Sequence, residues 1–217
     1  MNPWLTLGTA SALGLLHALE LDHMVAVSAF VAQRPTPRAA ANFGARWGVG
    51  HSGALLLVGG LLLASGLRVP SRFDDYGEMA VGMMLIAVGA WAFRCASMPS
   101  PVPAGPGPRF HAHVPRQGHE HNRRITAVGV MHGLAGTSGI VVLVPVTLMD
   151  DTALGLGYLV AFGVGVTLAM ICYAMVAASA IEGATRRSIA LGRQVAMGMG
   201  VAAAAVGLLW VARATLG

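Results

Sequence analysis

The chain has 217 residues, 55% of them hydrophobic and only 11% charged, with 29 glycines and a mean hydropathy of +0.67. Ordinary soluble domains carry roughly 25% charged residues, so most soluble folds are excluded, and so is disorder, which needs low hydrophobicity and high net charge. An all-α, multi-pass membrane protein remains. The net charge of +5 comes from 14 arginines without a lysine, set between apolar runs, which reads as membrane topology and not as nucleic-acid binding.

About 20 apolar residues span a bilayer as a helix, and six such runs follow in order: Leu5 to Val31, Trp47 to Leu67, Tyr76 to Phe93, Ile125 to Met149, Thr152 to Ile181 and Ile189 to Val211. The first is not a signal peptide, because no positive charge precedes it and it contains Glu20, Asp22 and two histidines. Residues 96 to 124 hold six of the eleven prolines and read as an extended linker. They divide the chain into a first three-helix unit (1–95), the linker (96–124) and a second three-helix unit (125–217). The loops after the first, third and fifth runs hold eleven arginines and the opposite side holds Arg68, Arg72 and Arg213. By the positive-inside rule the linker is cytoplasmic and both termini lie outside. Cys95 and Cys172 form no spaced pair and read as small core residues.

The two halves repeat. Gly14-Leu-Leu-His17-Ala-Leu19 matches Gly129-Val-Met-His132-Gly-Leu134 at an offset of 115, and Trp47-Gly-Val-Gly50 matches Phe162-Gly-Val-Gly165 at the same offset. A looser match, Ala80-Val-Gly-Met83 with Ala196-Met-Gly-Met199, has an offset of 116. Three spans per half place the second half upside down relative to the first, an arrangement typical of transporters whose site lies at the midplane. The glycine-rich stretches Gly48 to Gly53, Gly133 to Gly139 and Gly155 to Gly165 read as close helix packing.

Ionisable groups inside a span are functional candidates because burying them costs from about 2.5 kcal/mol upward. The first run holds His17, Glu20, Asp22 and His23, the second adds His51 and the fourth adds His132. Imidazole with carboxylate suits divalent transition metals, and the lack of thiolate argues against Cu(I). On a straight helix His17, Glu20 and His23 share one arc while Asp22 faces elsewhere. Either the helix unwinds there, or Asp22 supports a histidine from outside the ligand set.

His17-Ala-Leu-Glu-Leu-Asp22-His23 resembles the H-A-x-D-A-D-H signature of the nickel/cobalt transporter superfamily, and Gly50-His51-Ser52 resembles its G-H-S signature. The resemblance implies that His17, Asp22, His23 and His51 select and pass the metal ion, with Ser52 nearby. Typical members have eight spans. Here Glu20 stands for the first aspartate of the motif, Gly53 follows G-H-S, and the later L-G-x-D-T-A-T-E signature is reduced to Asp151-Thr152-Ala153. His132-Gly-Leu-Ala-Gly-Thr-Ser-Gly139 is more similar to shorter six-span relatives, some of them urease-accessory membrane proteins.

The linker carries His111-Ala-His113 and His119-Glu-His121, two H-x-H pairs that read as auxiliary metal ligands in a flexible segment. Asp74, Asp75, Glu78, Asp150 and Asp151 lie on the opposite side, where they can concentrate cations. No P-loop is present, so the chain itself hydrolyses no nucleotide. The expected function is a non-enzymatic permease of the cell inner membrane for Ni²⁺ or Co²⁺, with no prosthetic group. Its expected partners are the bilayer, the ion, a cytoplasmic metallochaperone and a second copy of the chain. The alternatives are a thiol-redox electron conductor and an exporter of another ion. The conductor needs repeat-related cysteines, and Cys95 plus 115 falls at Trp210.

Overall fold

The structure is a computed structural model that describes residues 2–33, 36–66, 72–98, 118–135, 145–146, 148–149 and 151–216. Regular structure among these residues is entirely helical. It runs α1 (Pro3–His17), α2 (Leu21–Val31), α3 (Pro37–Ser65), α4 (Arg72–Ser97), α5 (Gly118–Ala135), α6 (Thr152–Arg187) and α7 (Ile189–Leu216). Among the described residues α3, α6, α7 and the Asp75–Ser97 part of α4 are long and apolar enough to cross a membrane. The α1–α2 pair passes the same test as one span bent by 58°. The protein is therefore a multi-pass α-helical membrane protein. The run expected at Ile125 to Met149 is represented by the shorter apolar helix Ile125–Leu134; residues 136–144 lie outside the described residues.

Local sequence sets the helix ends. Pro37 opens α3 at its first turn, where a missing N–H costs nothing, ten residues before the hydropathic run begins. Gly66, with φ of 67°, closes it in the left-handed conformation that glycine adopts freely. Asp151 caps α6 by accepting the backbone N–H groups of Ala153 and Leu154 at 2.9 and 3.2 Å. The residual acidic signature Asp151-Thr152-Ala153 thus serves as a helix start. Arg193 of α7 donates to the terminal carbonyls of α4, Ala96 at 3.0 Å and Ser97 at 2.7 Å.

Contact register gives the helix directions. The pairs Leu7 with Gly157, Ser11 with Ala161 and Leu15 with Gly165 advance together, so α1 and α6 run parallel. Trp47 with Gly129 and His51 with Gly133 make α3 and α5 parallel. Gly44 with Met170, Gly48 with Thr167 and Ser52 with Gly163 make α3 and α6 antiparallel, as Gly82 with Gly207 and Gly89 with Gly200 do for α4 and α7. At Gly14 and Gly129 backbone approaches backbone, so that a Cβ would run into the main chain of Phe162 or Trp47. Gly198, which the 116-residue offset pairs with Gly82, faces open space, whereas Gly200 is packed against Gly89 and Phe93. The expectation for the cysteines holds for neither fully: Cys95 is half-buried and Cys172 is exposed on the outer face of α6.

Tyr173 of α6 latches α2: its hydroxyl donates to the Met24 carbonyl at 3.3 Å and lies 2.8 Å from Ser28 Oγ. Tyr173→Phe removes both bonds and is expected to lower stability by about 1 kcal/mol. A melting curve of the detergent-solubilised protein measures it, and an unchanged midpoint contradicts the latch.

Candidate metal centre

The site forms where the first span breaks. After His17 the Leu19 and Glu20 N–H groups turn back to the Leu16 and His17 carbonyls at 3.0 Å, tightening the last turn of α1. Glu20 is then extended (φ −66°, ψ 153°), and α2 starts with Asp22 in its first turn, where negative charge is favoured. The turn brings His17, Asp22 and His23 to one place, which a straight helix could not do. The two alternatives left open by the sequence are not exclusive: the helix is interrupted, and Asp22 lies within hydrogen-bond distance of the His23 ring.

Asp22 is 4% exposed and makes three bonds. Its Oδ1 accepts from the His23 backbone N–H at 2.8 Å and lies 3.0 Å from His23 Nδ1; its Oδ2 lies 3.1 Å from Nε2 of His132 on α5. His17 Nδ1 lies 3.0 Å from Glu20 Oε1, and Glu20, 44% exposed, is the member of the cluster that reaches the surface. An imidazole Nδ1–H donated to a carboxylate fixes the tautomer that leaves the Nε2 lone pair free, as supporting carboxylates do behind metal-bound histidines.

The three histidine rings converge. His17, His23 and His51 each offer a nitrogen, all within 4.8 Å of one another, and all three residues are buried. His17 Nε2, His23 Nε2 and both nitrogens of His51 have no hydrogen-bond partner among the described residues. Leaving buried polar atoms unpaired costs about 1–3 kcal/mol each, and one ion shared by three imidazoles would satisfy one nitrogen on each ring at once. Neutral imidazole suits Ni, Co, Zn and Cu. A second group within the same 4.8 Å, Asp22, His23 and His132, is already knitted together by its own hydrogen bonds.

Aromatic rings wall the cluster. Phe162 lies 5.6 Å from His17 and Trp47 lies 5.6 Å from His132, centroid to centroid. Behind Trp47 stand Phe43 and Phe30, and Trp91 packs on Phe30.

All six intramembrane candidates, His17, Glu20, Asp22, His23, His51 and His132, are brought together. Ser52 is not among them: its hydroxyl donates to the Gly163 carbonyl at 3.0 Å and joins α3 to α6. His119 and His121 stand in the first turns of α5, where an extended segment was expected. His111 and His113 lie outside the described residues. Phe162 and Trp47 stood out in the sequence only as the first residues of two matching Gly-Val-Gly segments, and nothing in the sequence marks Tyr173.

Over 173 residues the chain is 29% identical to the urease accessory protein UreH of Bacillus sp. (strain TB-90), covering 78% of this chain and 73% of that one. The chain is similar to a urease accessory protein. Two proteins of Arabidopsis thaliana, Chloroplast protein FOR GROWTH AND FERTILITY 2 and Chloroplast protein FOR GROWTH AND FERTILITY 1, are each 29% identical over 78% of the chain. The chain spans about half the length of these plant relatives, 46% and 49%. No family model and no solved structure matches. None of these relatives is named as an enzyme, and no enzyme family is indicated.

Proposed function

We propose that the protein is a permease for divalent transition-metal cations, Ni²⁺ or Co²⁺ foremost, with His17, His23 and His51 as ligands and Glu20 and Asp22 as their supports. The observation that carries this reading is the convergence, at the break of a span, of three buried imidazoles that each offer a nitrogen within 4.8 Å of the others and each hold an unpaired nitrogen. The resemblance of both motifs to the nickel/cobalt transporter superfamily names the ion, and similarity to a urease accessory protein is in keeping with it.

The proposed architecture is six spans in two inverted units, 1–95 and 125–217. The helix directions support it, since α1 opposes α5 and α3 opposes α6. So does an exchange of contacts: moving each partner by 115 residues turns Gly14–Phe162 into Gly129–Trp47, Ser11–Gly165 into Thr126–Gly50, and Gly48–Thr167 into Gly163–Ser52. For α4 and α7 the shift that exchanges Gly82–Gly207 with Gly200–Gly89 is 118 residues. In this reading the protein sits in the inner membrane with both termini outside, and the 96–124 linker meets a cytoplasmic metallochaperone through its histidines.

Elemental analysis of the purified protein after incubation with Ni²⁺, beside uptake by proteoliposomes, tests the proposal. Wild type is expected to hold about one ion per chain, and His17→Ala to hold none and to transport none. Equal metal content and equal uptake in the two overturn it.

A further inference from the structure

Resting on the permease reading, we infer that His132 is a second ion station: the ion sits on His17, His23 and His51 in one state of the protein and on His132, His23 and His51 in the other. The rings of His17, His23 and His132 form a row, with centroids 4.6 and 4.2 Å apart along it. His51 stands beside all three at 5.3, 5.2 and 5.9 Å. His23 and His51 are thus central, and His17 and His132 are the two ends.

The ends correspond. His17 and His132 close the same Gly-x-x-His segment in the two halves, and the ring that walls each is the counterpart of the other, Phe162 for His17 and Trp47 for His132. Their present states differ. His17 has Nδ1 on Glu20 and Nε2 unpaired beside His23 and His51, whereas His132 has Nε2 on Asp22 and Nδ1 buried without a partner among the described residues. When inverted units rock against each other around a midplane site, equivalent positions exchange surroundings. The environment that opens His17 toward the ion then passes to His132, and Asp22, which bridges His23 and His132, is the contact that must rearrange. The ion advances by changing one ligand of three, keeping two imidazoles throughout.

Binding and transit separate in the test. Wild type, His132→Gln and His17→Gln are compared, with ⁶³Ni²⁺ as probe, for equilibrium binding in detergent and for initial uptake by proteoliposomes. Glutamine retains a donor for Asp22. His132→Gln is expected to bind within about two-fold of wild type while its uptake rate falls about ten-fold or more, the size of effect seen when one contact of a metal site is lost; His17→Gln is expected to lose both. Wild-type uptake by His132→Gln overturns the second station, and so does loss of equilibrium binding equal to that of His17→Gln, which makes His132 part of a single site. A wild type that binds no Ni²⁺ overturns the permease reading itself. If His132→Gln is not monodisperse, His132→Asn is read by the same criteria.

Discussion

Replacing Asp22 by alanine is expected to lower affinity for Ni²⁺ by about ten- to a hundred-fold, the usual cost of removing an outer support from a metal-bound histidine. It is also expected to destabilise the chain more than any single histidine replacement. Asp22 holds three donors at 2.8, 3.0 and 3.1 Å, and it joins α2 to α5. Truncation strands the imidazoles of His23 and His132 in an apolar interior, at about 1–3 kcal/mol for each group left unpaired. Asp22→Asn separates the two effects. Its oxygen still accepts one histidine, but its amide donates to the other, which must turn a lone pair toward it. Affinity is then expected to fall with less loss of stability. Calorimetric titration with Ni²⁺ and a melting curve of each variant give both quantities. An Asp22→Ala protein with wild-type affinity shows that the carboxylate does not aim the ligands.

The second large effect concerns Gly14 and Gly129. A Cβ at either position meets main-chain atoms of Phe162 or Trp47, which cannot swing aside as a flexible side chain can. Gly14→Ala and Gly129→Ala are each expected to cost about 1–3 kcal/mol, the range for overpacking a close-packed interior, and to move the wall ring away from its histidine. Gly53→Ala and Gly183→Ala, where a Cβ meets nothing within 4 Å, are expected to be neutral and serve as controls. The monodisperse fraction and melting midpoint in detergent measure the difference. If Gly14→Ala melts with Gly53→Ala, the backbone contact between α1 and α6 does not limit stability.

The membrane class and the long helices were legible in the sequence, and so were the ionisable residues that the structure gathers at the break, because a charge in an apolar run stands out against its surroundings. Their arrangement was not. On an unbroken helix Asp22 points away from His17, and only the turn at residues 18–20, which no proline or glycine announces, brings them together. His132 looked like a single buried histidine until α5 set it against Asp22, a contact spanning 110 residues. Ser52, beside His51 in the motif, is drawn to α6 by Gly163, a choice that depends on which helix lies opposite. The glycines that the two 115-residue matches single out, Gly14 with Gly129 and Gly50 with Gly165, are all packed against backbone. The 116-residue match is less informative, pairing packed Gly82 with open Gly198, since any alanine- and glycine-rich helix matches another at several registers.

The broken first span has a bearing on how the protein is made. At 1.5 Å per residue α1 is about 22 Å long and α2 about 16 Å, so neither crosses a hydrocarbon core of about 30 Å alone. The partner that α1 needs, through Ser11 and Ala161, lies 150 residues downstream. At about 5–20 residues per second a ribosome takes roughly 8–30 s to deliver it. During that interval His17 has no Phe162 beside it, and before α5 emerges Asp22 has no His132. The α1–α2 segment is therefore completed late, and a chain cut short before α6 carries His17 without the Phe162 ring and without the helix on which α1 packs.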